Sequence, residues 1–454
     1  MISRRPDIEL IESFFNCLDE CGIDYCIMRN AQEVAEGDAH DVDMCVRDSH
    51  MQEAETLLDK QAEHLGWKIH LKTGSASDLS NIKCYNYYYA NKETQQIYIV
   101  HIDVFPTFAW KGYELLSNDL LLKNTNRETI YHSIAPETEA VCNLFVRLLY
   151  NGKIKDKYKP MVYQTFVIKK AEVCELMKNF LSEKLAETVY DRVIQQDWNA
   201  INAMRTRIVS DVKKHTRRNL PMYVKYLLSK ALRRSGAIIA FQGTDGSGKT
   251  TIINGIEKTL GNTFSNNTLN YYHWRPGFIK SEKRLDAHGN VVSNVQPHTA
   301  KPSNKIVSLA KLLLYTTDYI LGYWLKVYWQ AAQGHLVVFD RYYYDFYMDK
   351  LRYRLNIGNW LISFCHHFIP DPDMTFILSG EAQKIQARKN ELSVEEVERQ
   401  ISCLHQHMHQ FANPVKIDVC QSISCVVFSV SQNILGFLNQ KAQPSSKTRT
   451  GDER

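Results

Sequence analysis

The residues best suited to chemistry in this chain are Gly243-Thr244-Asp245-Gly246-Ser247-Gly248-Lys249-Thr250. They fit the pattern G-x-x-x-x-G-K-[ST]. Its turn directs several backbone N–H groups, and the positive end of the helix that follows, at one phosphate. Lys249 would reach the β/γ-phosphates of a nucleoside triphosphate, and the Thr250 hydroxyl, followed by Thr251, would hold Mg²⁺. At average residue usage the four fixed positions coincide by accident in roughly one or two chains of this length per hundred. The setting argues against accident. Apolar Ala237 to Phe241 reads as a buried strand entering the loop, and Thr251 to Leu260 carries helical spacing up to a stop at Gly261.

A second group lies in Leu336-Val337-Val338-Phe339-Asp340-Arg341-Tyr342, an apolar run ending in charge. At the carboxyl end of a parallel strand such charges face the ligand crevice of an open α/β sheet. Asp340 there can orient Mg²⁺ or its waters. Arg341 can hold an acceptor phosphate or stabilise charge on a transferred group. Thr375 to Leu378 reads as one more strand, after Pro370-Asp371-Pro372-Asp373, and Arg388 and Lys389 open a highly charged stretch that runs to Arg399.

A third group is near the start. Asp41-Val42-Asp43 leads into Met44-Cys45-Val46, and positions i and i+2 of a strand share a face. Asp103 is an isolated charge in the apolar run Ile99 to Phe105. Three carboxylates on adjacent strands would make an oxygen-rich Mg²⁺ site able to activate a hydroxyl and steady a departing pyrophosphate.

These groups need scaffolds, and the 454-residue length suggests roughly three domains. Residues 1–135 alternate helix-like Ile8 to Cys21 and Met51 to Leu65 with strand-like Asp24 to Arg29 and Val42 to Val46. Lys83 to Tyr89 and Gln96 to Phe105 then read as a hairpin. Residues 136–235 are helical, broken near Asn151-Gly152, Pro160 and Pro221. They end in a basic run, His215 to Arg234, that includes Lys225, Lys230, Arg233 and Arg234. That run reads better as the solvated face of a connecting helix than as a nucleic-acid contact. Residues 236–440 alternate strand and helix, and the polar tail 441–454 reads as disordered. The predicted fold class is α/β: a C-terminal P-loop domain on a parallel sheet, an α+β N-terminal domain and a helical middle segment.

Composition narrows the setting. A net charge of +5 is too mild to argue for nucleic acid. Eleven cysteines without a C-x-x-C pair, behind a charged start that is unlike a signal peptide, read as reduced thiols and a cytoplasmic protein. Ile306 to Ala332 is apolar but interrupted by Lys311, Asp318 and Lys326, so it reads as a pair of core helices rather than a membrane span. Cys403, His405, His407 and His409 lack a second ligand pair at zinc-site spacing and read as a solvated helix face.

From Gly236 to Gln440 the chain resembles the thymidylate kinase family. The resemblance rests on Gly-Thr-Asp-Gly-Ser-Gly-Lys-Thr-Thr, on Asp340-Arg341-Tyr342, on the strand entry at Pro372 to Thr375 and on the basic stretch near Arg388. It implies that Asp245 faces the acceptor, Arg341 and Tyr342 clamp it, and Arg388 closes over the ATP phosphates. Two positions depart from the family. Its Arg-Glu-Pro-Gly acceptor loop stands here as Trp274-Arg275-Pro276-Gly277, and its serine after Asp-Arg-Tyr is Asp345. A carboxylate beside an acceptor phosphate requires a cation, for which Arg352 and Arg354 are candidates. Residues 20–110 resemble nucleotidyltransferases of the DNA polymerase beta type, with Asp41, Asp43 and Asp103 as the implied triad. Met28-Arg29-Asn30 stands where that family has a Gly-Ser turn.

Together these point to an ATP- and Mg²⁺-dependent phosphotransferase with a small-molecule acceptor and a second, nucleotidyltransferase-like site. A homodimer is an option, and neither nucleic acid nor a membrane span is expected. The alternatives are a monofunctional nucleotide kinase with a non-catalytic N-terminal domain, or an ATP-dependent switch or scaffold.

Overall fold

Strand-forming sequence gathers into two five-stranded sheets, each in its own compact unit. A computed structural model describes residues 5–38, 41–74, 82–127, 130–232, 234–264, 269–279 and 302–442. Arg233 of the basic run and most of the tail, residues 443–454, lie outside the described residues. One unit comprises Met1–Asn91, Ile97–Ser229 and Leu438–Arg454, and the other Lys92–Gln96 and Lys230–Phe437.

The first unit holds β1 (Tyr25–Ile27), β2 (Asp41–Val46), β3 (Lys68–Gly74), β4 (Lys83–Asn91) and β5 (Gln96–Val104) in the order β1-β2-β5-β4-β3. β4 and β5 are neighbours joined by a short turn, as the hairpin reading expects. β2 runs parallel to β5, with Asp43 opposite Asp103, and antiparallel to β1. β6 (Phe108–Trp110) and β7 (Tyr113–Leu116) form a separate small ladder. Helices Pro6–Glu20 and Met51–His64 supply Leu10, Phe14, Leu18, Ala54 and Leu58 to a core shared with Val42, Met44 and Ile102.

The helical segment does not fold around a core of its own. Helix Pro136–Asn151 starts on a proline with two acids in its first turn and stops at Gly152, whose φ of 81° suits a residue without Cβ. Its Val141, Phe145 and Leu148 pack in one cluster with Cys26, Cys45 and Trp110 from the strands, with Val189 and Ile208 from later helices and with Phe180 from a turn between helices. Periodicity reveals each helix but not which sheet receives its apolar stripe.

The second unit is built on a parallel sheet of β8 (Ala237–Gln242), β9 (Leu269–His273), β10 (Leu336–Asp340), β11 (Met374–Ser379) and β12 (Pro414–Asp418), ordered β12-β11-β8-β10-β9. β8 and β10 are buried along their whole length, which explains their unbroken apolar sequence. The segment read as a helix pair is one continuous run: helix Lys305–Gly322, a π-turn Tyr323–Val327 and helix Tyr328–Ala332. Among the described residues no helix is long and apolar enough to cross a membrane.

Candidate active site

β8 delivers the chain into the glycine loop at the carboxyl edge of the sheet, and helix Lys249–Leu260 leaves from it. Two glycines there are dictated by geometry. A Cβ at Gly243 would stand 2.7 Å from Ser247 Oγ, and one at Gly246 would stand 2.7 Å from the carbonyl oxygen of Ile385. Gly246 and Gly248 also have φ of 85° and 83°, the left-handed region that favours glycine. Gly248 caps the helix, so the loop ends with free N–H groups pointing one way.

Lys249 is buried, and its ammonium donates to the carbonyl oxygens of Gly243 and Thr244, both at 2.9 Å. Burial, reinforced by Arg341, pushes its pKa down to about 7, while Asp340, Asp245 and Asp345 pull it back up. Thr244 Oγ1, both polar atoms of the Gln242 amide and Asp340 Oδ1 are buried without partners. Thr250 and Thr251 are exposed at the start of the helix. Orphaned polar atoms beside open amides and a buried lysine fit a triphosphate with its Mg²⁺.

β10 ends beside the loop. Arg341 N–H donates to Phe241 O at 2.9 Å, and Trp274 N–H, at the end of β9, donates to Asp340 O at 2.9 Å. Arg341 and Trp274 both have φ of 73°, unusual for residues with side chains and costing about 1–3 kcal/mol each. These kinks turn both side chains out of the strand register. Asp340 accepts from the Tyr271 hydroxyl at 3.2 Å. Burial raises its pKa, but His273, Lys249 and Arg341 outweigh that and hold it below the usual range.

The guanidinium of Arg341 is buried between two carboxylates, Asp245 at 2.6 Å and Asp345 at 3.1 Å. Arg352 pairs with the other oxygen of Asp245 and with Asp349 at 3.2 Å. Against burial, Arg341 and Arg352 hold the Asp245 carboxyl down at about 2. The cation that balances Asp345 is therefore Arg341, helped by the Tyr353 hydroxyl at 2.5 Å, and neither Arg352 nor Arg354 is given that contact.

Three expected contacts fall elsewhere. Arg275 donates to buried Asp318 at 3.0 Å, and the N–H groups of Gly277 and Ile279 converge on the same carboxylate. Tyr342 turns into the core, its hydroxyl donating to Pro370 O at 2.6 Å and its ring edge-on to Tyr319, so packing rather than an acceptor accounts for it. Arg388 donates to Val419 O at 2.8 Å, while its neighbour Lys389 has its Cβ 3.4 Å from the Cβ position of Gly246. Of the two, Lys389 stands beside the glycine loop. His405 and His409 are exposed, and His407 stacks on Tyr347.

In the first unit, Asp41 is exposed at the start of β2, and Asp43 is buried and ion-paired with Arg29. Burial and then Asp43 push the Asp103 carboxyl up to about 7, against Cys84 and Arg29. Lys155 is lowered by burial and by the charges of Arg147, Lys157 and Arg29, so cations gather on the same side. Among the described residues no group of three His, Cys, Asp or Glu side chains could hold a metal ion. The triad expected to bind Mg²⁺ therefore does not fit one in this conformation, because Arg29 holds Asp43.

Sequence reasoning missed Asp318, Tyr353, Lys155 and Arg147. Asp318 had a readable signal: like Asp103, it is a lone acid in an apolar run.

A search of curated proteins finds no match to the chain. Among solved structures, a crystal structure of thymidylate kinase from Ehrlichia chaffeensis is similar at 19% identity, covering 44% of this chain and 99% of that one, with a TM-score of 0.30. The family model described as thymidylate kinase matches residues 241–427, which hold the glycine loop, Asp340, Arg341 and Arg388.

Proposed function

We propose that the chain is an ATP-dependent phosphotransferase working through the α/β region of residues 236–440. The carrying observation is buried Lys249, folded onto the loop carbonyls within electrostatic reach of Asp340 and Arg341. The amides of Gly243 to Thr250 and the Lys249 ammonium bind the donor phosphates. Thr250 and Asp340 would hold Mg²⁺, which neutralises phosphate charge when bound. Asp245, fixed by two arginines, faces the acceptor, and Lys389 with Arg388 lies at the lid. Pre-oriented charge of this kind lowers the barrier because nothing has to reorganise as the phosphoryl group moves. A mass-spectrometric screen of a metabolite pool with ATP, comparing the parent with Lys249→Ala, tests the reading. A phosphorylated product should appear with the parent alone, and equal products from both proteins reject it.

A second reading concerns residues 1–135, supported by 136–235, as a nucleotidyltransferase-like domain. The pairing of Asp43 with Asp103 across parallel strands, beside Arg29, favours it. Arg29 and the nearby cations would hold phosphates there. Labelled nucleotide transfer lost in an Asp41→Asn/Asp43→Asn double variant would support this reading, and transfer equal to the parent's would remove it.

A further inference from the structure

We propose that the acceptor of the second unit is an uncharged molecule that offers a hydroxyl and carries no phosphate of its own, an assignment that rests on the kinase reading above. Among the described residues, Arg275, Arg341 and Arg352 are already committed to carboxylates. Arg341 lies between Asp245 and Asp345, and Arg275 is held by Asp318. Arg352 joins Asp245 to Asp349. Asp345 and Asp318 are wholly inaccessible and Asp349 is 2% exposed, so these carboxylates cannot swing into water to release their partners.

Charge balance points the same way. Asp245, Asp340, Asp345 and Asp349 face Arg341, Arg352 and Lys249, so the cluster has no spare cation for an acceptor phosphate. A phosphate ester entering here would either displace a buried carboxylate, stranding that charge, or sit unpaired beside it. A hydroxyl needs one acceptor atom, and the Asp245 side chain is still 17% exposed. Trp274 adds a donor of matching kind. Its indole N–H is buried without a partner at the same sheet edge, between the rings of Tyr353 and Tyr315. A neutral N–H can donate to an acceptor hydroxyl oxygen, but it supplies no cation to balance a phosphate dianion.

In the step, the acceptor hydroxyl oxygen bonds to the γ-phosphorus of ATP. The bond from that phosphorus to the β,γ-bridging oxygen breaks, and ADP leaves with the electron pair. The hydroxyl proton passes by Asp245 to water.

The test uses the full chain with Mg-ATP and measures ADP release over matched acceptors: nucleosides against their 5′-monophosphates, and ribose against ribose 5-phosphate. At least one unphosphorylated member should be used with a kcat/KM about 100-fold above its phosphorylated partner. Equal or better use of the phosphorylated partners overturns the proposal, as does bound ATP with no member of any pair consumed. In Asp345→Asn, which leaves Arg341 with one carboxylate partner in place of two, the preference should narrow at least about 10-fold, and a folded variant with an unchanged ratio counts against the proposal. Failure of the kinase reading looks different: Lys249→Ala would then bind ATP as tightly as the parent.

Discussion

Arg341 and Asp345, four residues apart, form a buried ion pair at 3.1 Å, and the same guanidinium reaches Asp245 in the glycine loop at 2.6 Å. The glycine loop and the segment after β10 are thus joined through one side chain. Truncating it in Arg341→Met strands two carboxylates, one of them fully buried. The expected cost is about 3–5 kcal/mol of stability. Most of it should return in Arg341→Met/Asp345→Asn, because the amide oxygen can still accept from Tyr353. Urea unfolding of the two variants measures the difference.

Lys249→Ala removes the buried ammonium from the loop. Phosphoryl transfer should fall by at least about 100-fold, with ATP affinity reduced as well, while the melting temperature changes little or rises, since a desolvated cation is lost. Steady-state kinetics and ATP titration check this.

Gly246→Ala should be more damaging than its size suggests. The added methyl would meet the Ile385 carbonyl at 2.7 Å on a backbone with φ of 85°. A loss of about 1–3 kcal/mol and weaker ATP binding are expected. Gly261→Ala, where a Cβ meets nothing within 4 Å, is the control.

His70 gives the first unit a pH dependence. It is buried in β3 with neither ring nitrogen partnered, and burial, helped by His101, lowers its pKa to about 3. Between pH 3 and the unfolded value of about 6.5, the unfolded chain holds a proton that the folded chain lacks, so stability rises with pH across that window. Acidifying from pH 7 to pH 5 should therefore cost about 2 kcal/mol through this group, and His70→Phe should flatten that slope. Denaturant titrations at the two pH values read it.

Local sequence disclosed what local chemistry dictates. The glycine loop was legible because backbone amides and a lysine must stand at fixed offsets, and β8 and β10 because strands buried on both faces must be apolar. Asp43 and Asp103 stand on neighbouring strands, which the lone acid in the apolar run of Ile99 to Phe105 anticipated. What depended on distant partners stayed hidden. Arg275 reads as a ligand for an anion until Asp318, 43 residues later, takes it. Tyr342 looks available until the packing of Tyr319 turns it inward. Arg388 and Lys389 differ by one residue in sequence and by nearly a third of a helical turn in direction, which decides which of them meets the loop.

The outward kinks at Trp274 and Arg341 are tied to the sheet by main-chain hydrogen bonds, from Trp274 to Asp340 and from Arg341 to Phe241. Their direction therefore does not depend on which side chains they carry. An exchange at Trp274 would leave the glycine loop's ion pairs in place, whereas an exchange at Arg341 would also release Asp245 of that loop.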